Sequence, residues 1–242
     1  MSDYSHETYG ERVAGVYDEW FSDYDHDAID LLAELAQARG GKALELGIGT
    51  GRFALPLSGK GVAVQGIDSA PAMVSQLRAK SGADRITVTF GNFADVPVEG
   101  KFDLIYIVFN TFFALASQEE QVRCFRNVAE HLAPGGCFVT EAFVPDVTRF
   151  ISNQVNWATK VTTDEVQLDV GQHDAATQRV MSQRIVITDG NVKLYPVQIR
   201  YCWPSELDLM AQLAGLRLRE RWSNWKREPF TSESGKHISI YE

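Results

Sequence analysis

The segment Ala43-Leu44-Glu45-Leu46-Gly47-Ile48-Gly49-Thr50-Gly51-Arg52 constrains this chain more than any other. An apolar strand runs straight into glycines at alternate positions. Such a loop lets the backbone turn tightly and come close to a ligand at the carboxyl end of the strand. A nucleotide-type cofactor is the expected occupant. The spacing narrows the choice, because a dinucleotide fingerprint of the form Gly-x-Gly-x-x-Gly would need glycine at position 52, where this chain has Arg52.

The surrounding pattern alternates strands with helices. Strands are expected at 42–46, 62–68, 85–90, 102–109 and 137–143, with helices at 52–57, 70–80 and 117–132 between them. Ser117 followed by Glu120 reads as a capping box, and Pro134-Gly135-Gly136 as the turn that ends the last helix. This alternation implies a parallel sheet with right-handed crossovers. Two helices, 9–21 and 28–39, precede it. After Pro145 the pattern changes to β-branched runs at 155–162, 165–170, 178–188 and 192–201, with Asp189-Gly190 marking a hairpin. A helix at 204–214 and strands at 216–222 and 237–241 close the chain. The expected organisation is a helical cap over 1–40, a cofactor-binding core over 41–145, an antiparallel insertion over 146–203, and a closing segment over 204–242.

Two carboxylates sharpen the cofactor. Glu45 stands just before the glycine loop, where a pyrophosphate would be repelled but the amino group and sulfonium of S-adenosylmethionine are welcome. Asp68 ends the second strand, where a carboxylate accepts hydrogen bonds from ribose hydroxyls. Glu45-Leu46-Gly47-Ile48-Gly49-Thr50-Gly51 resembles the first signature motif of class I S-adenosylmethionine-dependent methyltransferases. Gly66-Ile67-Asp68-Ser69-Ala70-Pro71-Ala72-Met73 is similar to the second, and Gly91-Asn92-Phe93-Ala94-Asp95 to the third, with Asn92 where the family often has Asp. Phe102-Asp103-Leu104-Ile105-Tyr106 and Leu132-Ala133-Pro134-Gly135-Gly136 resemble the motifs that follow, in order and at suitable spacing. The resemblance covers roughly residues 10–145 and implies an α/β, Rossmann-like fold with a seven-stranded, mostly parallel sheet. It implies cofactor roles for Gly47, Gly49 and Gly51 at the methionine part and ribose, and for Asp68 at the ribose hydroxyls. Ser69, Met73, Asn92 and Phe93 would meet the adenine, Phe109 and Asn110 the methionyl end, and Tyr17 would close over the cofactor.

The acceptor side is less determined. A formal net charge of -9 argues against a nucleic-acid substrate, whose phosphates need a basic surface, so a small-molecule acceptor is expected. No apolar run is long enough to span a membrane, no export signal is visible, and three scattered cysteines fit a reducing cytoplasm. The five histidines have no metal-ligand spacing, and no metal is expected. In layout the chain resembles the amino-sugar N-methyltransferases of antibiotic pathways, although some of these carry a histidine where this chain has Ala114. Methyl transfer to nitrogen or oxygen is the expected activity. The alternatives are carbon methylation with Glu141 as base and cofactor binding without catalysis; an NAD-dependent oxidoreductase is more distant. Phe113, Trp157, Arg200, Trp203 and Trp222 are candidate acceptor contacts. The insertion is expected to act as a lid or as the contact in a homodimer.

Overall fold

The structure, a computed structural model, describes residues 4–22 and 24–242. Its core is a seven-stranded sheet. The strands are β1 (Lys42–Leu46), β2 (Ala63–Asp68), β3 (Thr87–Phe90), β4 (Phe102–Ile107) and β5 (Leu132–Phe143), closed by β10 (Leu218–Trp222) and β11 (Lys236–Tyr241). Their order is β10-β11-β5-β4-β1-β2-β3. The first five pair in parallel and β11 runs antiparallel to both β5 and β10. The strand order reverses between β1 and β4, and the crevice at the carboxyl ends of these two strands is where an α/β sheet of this kind takes a ligand.

Alternation along the strands puts apolar side chains on both faces. Ala43, Leu104, Tyr106 and Val139 face helices α2 (His26–Gln37) and α3 (Ala54–Gly59), while Leu44, Leu46, Ile105, Ile107 and Phe138 face α5 (Gln118–His131) and α6 (Pro204–Leu213). Strands buried on both faces explain the near-continuous apolar runs of the sequence. Ser117 caps α5 by accepting from Glu120 N at 3.2 Å, and Glu120 Oε2 accepts from Ala116 N at 3.0 Å.

Several boundaries differ from the sequence expectation; β7, for one, runs to Asp174, four residues further than expected. β4 stops at Ile107 because Phe109 and Asn110 adopt left-handed conformations, with φ of 57° and 64°. β5 starts at Leu132, five residues before expected. Pro134-Gly135-Gly136 lies inside the strand as an irregularity, where a Cβ on Gly136 would stand 2.9 Å from Phe102 O. β3 is shorter than its alternating pattern, since residues 83–85 form a 3-10 turn.

A second, four-stranded antiparallel sheet is a simple meander of β6 (Gln154–Val161), β7 (Glu165–Asp174), β8 (Arg179–Thr188) and β9 (Asn191–Arg200). Pro196 sits in β9, the edge strand, where its missing N–H is tolerated. The first helix, α1 (Thr8–Trp20), lies between this sheet and α4 (Pro71–Arg78). Trp20 packs edge-on to Tyr195 of β9 at 4.7 Å, and Gly10 passes so near α4 that a Cβ there would meet Ala70 Cβ at 2.4 Å.

Candidate cofactor and acceptor sites

The glycine loop follows β1 directly. Gly47 N and Ile48 N both donate to Ile67 O, at 2.8 and 3.0 Å, so the loop is hung from the end of β2. Gly47 has a φ of +74°, and a Cβ on it would stand 2.5 Å from Thr111 Cγ2. Both the conformation and the close approach therefore require glycine. Asp68 clamps the same loop, accepting from Gly49 N at 2.7 Å and from Ala70 N at 2.9 Å. Burial pushes its carboxyl above the usual range, opposed by these backbone N–H groups.

Around this loop lies a cavity of about 250 Å³. Of the cofactor residues expected from sequence, Tyr17, Glu45, Gly47, Gly49, Asp68, Ser69, Met73, Asn92, Phe93, Phe109 and Asn110 all line it; Gly51 does not. Gly51 turns behind the loop, where a Cβ would meet Leu77 at 2.9 Å, so the structure gives it a packing reason instead. Glu45 is buried, and accepts from the Tyr106 hydroxyl at 2.9 Å. Burial pushes its carboxyl up to about 8. Arg52, in the same cavity, stacks its guanidinium over the Phe109 ring at 4.0 Å. The Asn92 amide is committed on both ends, accepting from Ala94 N at 2.9 Å and donating to Glu120 Oε1 at 3.2 Å.

Helix α1 covers this cavity and is fastened to it. Thr50 Oγ1 donates to Asp18 at 2.6 Å, Lys80 pairs with Asp18 at 2.6 Å, and Ala72 N donates to Glu11 at 2.9 Å. Tyr17 packs on Phe21, and Phe21 packs edge-on to Phe109 at 5.0 Å.

A second cavity, about 260 Å³, opens between α1, the end of β5 and the inner face of the added sheet. Tyr9, Val197 and Ile199 line both cavities and so form the partition between them. Aromatic residues dominate the second cavity: Trp20, Phe21, Phe143, Phe150, Trp157, Tyr195 and Tyr201. Its charged groups are Asp146, Arg149, Asp169 and Arg184. Arg184 holds Asp169 at two points, both 2.9 Å, and the Tyr201 hydroxyl meets His173 Nε2 at 2.9 Å.

Of the expected acceptor contacts, only Trp157 lines this cavity. Phe113 is buried between Phe112 and Phe143 in the core. Arg200 is buried against Gln121, Gln178 and Glu206, where it joins α5, the turn before β8 and α6. Trp203 caps the start of α6 and is exposed, and Trp222 packs in the core opposite, with Arg227 over its ring at 5.4 Å. These four line neither cavity. Glu141 is likewise a fastening: its oxygens accept from Phe109 N at 3.0 Å, Trp225 Nε1 at 3.1 Å and Lys236 Nζ at 3.0 Å, and it lines neither cavity. It holds the left-handed turn at Phe109–Asn110, together with Asn110 Oδ1, which accepts from Phe143 N at 2.7 Å.

Sequence reasoning missed Tyr9, His6, Arg149, Asp169 and Arg184. For Tyr9 a signal existed: Tyr9, Val13 and Tyr17 recur at helical spacing, a stripe that reads as core until a cavity is found beneath it. Asp169 and Arg184 meet only through the register of β7 and β8, which sequence spacing does not reveal. Among the described residues no cluster of His, Cys, Asp and Glu is arranged to hold a metal, and no helix is long and apolar enough to cross a membrane. Cys124, Cys137 and Cys202 are free thiols, all buried.

Comparison with known proteins agrees with this geometry. The sequence model of the methyltransferase domain matches residues 43–136. The structure of the CcbJ methyltransferase from Streptomyces caelestis is 36% identical, covers 99% of both chains and superposes with a TM-score of 0.92. The cypemycin N-terminal methyltransferase of a Streptomyces species is 26% identical over 204 residues, 84% of this chain and 83% of that protein. CalS10, an amino pentose methyltransferase from Micromonospora echinaspora, shares the fold, with 19% identity, coverage of 93% and 96%, and a TM-score of 0.67.

Proposed function

This chain belongs to the S-adenosylmethionine-dependent methyltransferases, and from that premise we propose that it methylates the nitrogen of an amine-bearing small molecule held in the second cavity. The cofactor fits the first cavity by its chemistry. The buried Glu45 carboxylate suits an α-ammonium and the Arg52 guanidinium suits an α-carboxylate. Asp68 has further lone pairs for the ribose hydroxyls, and Met73, Asn92 and Phe93 offer an apolar and amide-lined slot for adenine. Bound S-adenosylmethionine supplies a methyl group on a sulfonium, already joined to a good leaving group. The protein's task is then alignment and exclusion of water. Tyr9, Val197 and Ile199 line both cavities, so the methyl group would be handed across beside them, under α1.

The observation that carries the nitrogen reading is the state of the groups around the second cavity. The Asp146 carboxylate accepts from Thr148 N and Oγ1, Asp169 is held by Arg184, and Tyr201 is bonded to His173. Burial pushes the Tyr9 phenol well above the usual tyrosine range, so it stays protonated. None of these groups stands as an unpartnered base. An amine that arrives neutral needs none, whereas a hydroxyl or carbon nucleophile usually does. Glu141, the base required for carbon methylation, is occupied with Phe109, Trp225 and Lys236. The name of the Streptomyces relative, which refers to methylation at an N-terminus, is in keeping with this reading.

The test is a panel of small amines and matched alcohols incubated with labelled S-adenosylmethionine. Label is expected in the amines, with a rate that rises as the amine becomes neutral. Transfer to alcohols alone would sink the nitrogen reading.

A further inference from the structure

Arg149 differs from Arg184 and Arg200, the arginines of the added sheet that hold carboxylates. It ends the short 3-10 turn Val147–Arg149, which places its guanidinium at the exposed rim of the cavity. There the guanidinium carbon lies 4.1 Å from the centre of the Trp157 ring and 5.6 Å from that of Phe150. Aromatic faces are the contacts it makes; among the described residues it has neither a hydrogen bond nor an ion pair.

The two carboxylates of the cavity are engaged elsewhere. Asp146 turns back to accept from Thr148 N at 2.9 Å and Thr148 Oγ1 at 2.5 Å. Asp169 is matched at both oxygens by Arg184. The Arg184–Asp169 pair is neutral as a unit, and Asp146, whose charge attracts Arg149 without touching it, takes its hydrogen bonds from Thr148, so the guanidinium keeps its own N–H groups unbonded. A guanidinium stacked on an indole keeps its edge N–H groups pointing away from the ring. That edge is a planar fork matched to a carboxylate. Partial burial also holds Arg149 below the usual arginine pKa, as expected of a cation drawn out of water.

We propose that Arg149 is a specificity-determining residue that receives a carboxylate carried by the methyl acceptor, with the Trp157 ring supporting the guanidinium. The acceptor class is therefore an amine that also bears a carboxylate, of a size for an aromatic-lined cavity of about 260 Å³. The proposal rests on the amine reading above for its nucleophile, and on Arg149 alone for the carboxylate.

Two probes of matched shape separate the two claims: 4-(aminomethyl)benzoate and 4-(aminomethyl)benzamide. Binding is measured by calorimetry on the full chain saturated with S-adenosylhomocysteine, and methyl incorporation is followed in parallel with labelled S-adenosylmethionine. The wild-type protein is expected to bind the benzoate at least about tenfold more tightly than the benzamide, the margin of a charge-assisted over a neutral contact. Arg149→Gln should bring the two to equal affinity while its melting temperature stays close to that of the wild type, because Arg149 makes no hydrogen bond in the fold and only exposed ring contacts are lost. Arg149→Lys should retain part of the preference, since a point charge attracts the carboxylate without matching its plane. Equal binding of both probes by the wild type, a preference that survives in Arg149→Gln, or no binding of either would overturn the role of Arg149. A carboxylate preference with no methyl transfer to either amine would leave Arg149 standing and sink the amine reading instead.

Discussion

The two cavities of this protein are built by different means, although they share a wall. The cofactor cavity is made from backbone and strand ends: a glycine loop hung on Ile67 O, the Asp68 carboxylate on Gly49 N, and Glu45 under Tyr106. The second cavity, the one proposed for the acceptor, is made from side chains on an added sheet, a helix and a loop, with Tyr195, Val197 and Ile199 on one face of β9 and Tyr201 just beyond its end. A cavity made of backbone tolerates little change, because its loop is held by Ile67 O and Asp68 and Gly47 has no room for a Cβ. One made of side chains is re-lined by substitution without disturbing the sheet that carries it. The comparison explains how one core serves relatives whose names point to different acceptors.

The comparison can be broken most severely at Gly47. Gly47→Ala forces a left-handed alanine and a clash with Thr111, together about 3 kcal/mol, or roughly a hundredfold in affinity for S-adenosylhomocysteine, with some of the loss shared by folding. Calorimetry that returns wild-type affinity would show that the loop's backbone is not what shapes the cofactor cavity.

A smaller effect follows from Glu45. Its folded-state pKa, about 8, lies above the ordinary value of 4.5, so the folded protein holds this proton where an unfolded chain has lost it. Stability of the cofactor-free protein should therefore fall as pH rises from about 4.5 through about 8. Binding of the cofactor's ammonium requires the ionised form. Below pH 8, affinity for S-adenosylhomocysteine should strengthen by up to about tenfold per pH unit with release of a proton, and Glu45→Gln should flatten both trends. Calorimetry in buffers of different ionisation enthalpy reads the proton directly; no buffer dependence would remove Glu45 from contact with the amino group.

Glu141 tests where fastening ends and chemistry begins. Glu141→Gln keeps an acceptor for Phe109 N or Trp225 Nε1 but loses the pair with Lys236, and should lower stability by about 1–3 kcal/mol. The shape of the pH–rate profile should stay the same. Loss of its rising limb in Glu141→Gln would make Glu141 a base after all. The smallest effect is expected at Trp203, which lines neither cavity. Trp203→Ala should leave the Michaelis constant for any amine acceptor within about twofold, since surface changes away from a site are usually nearly neutral; a large rise would bring α6 into the acceptor cavity.

Legibility in the sequence follows the same division. Glu45, Gly47, Gly49 and Asp68 were readable because their chemistry is set within a few residues of a strand end. Arg200, Trp203 and Trp222 were plausible acceptor contacts because cationic and aromatic residues on late strands often line pockets. Arg200 instead meets Gln121, a residue 79 positions away, and is buried by it. Glu141 stood at a strand end like Asp68, yet the loop beyond it folded back left-handed and took its oxygens. Periodicity saw the helix that carries Tyr9 but not what lies under it. Pro134-Gly135-Gly136 read as a turn because nothing in the sequence shows Phe102 O coming within reach of Gly136.

The amino-acid sequence by itself determined the parallel core, the glycine loop at the end of β1 and the choice of S-adenosylmethionine over a dinucleotide. These are matters of local backbone geometry and of charge next to a glycine loop. Only the tertiary structure decided which side chains face the acceptor cavity. That depends on the register of β7 against β8, on how α1 lies between α4 and β9, and on which cations find partners when distant segments meet. Arg184 found Asp169 and Arg200 found Glu206, while Arg149 lies on the Trp157 and Phe150 rings with no ion pair of its own. Side-chain partnership across the fold is a long-range property, and the proposed acceptor site depends on it.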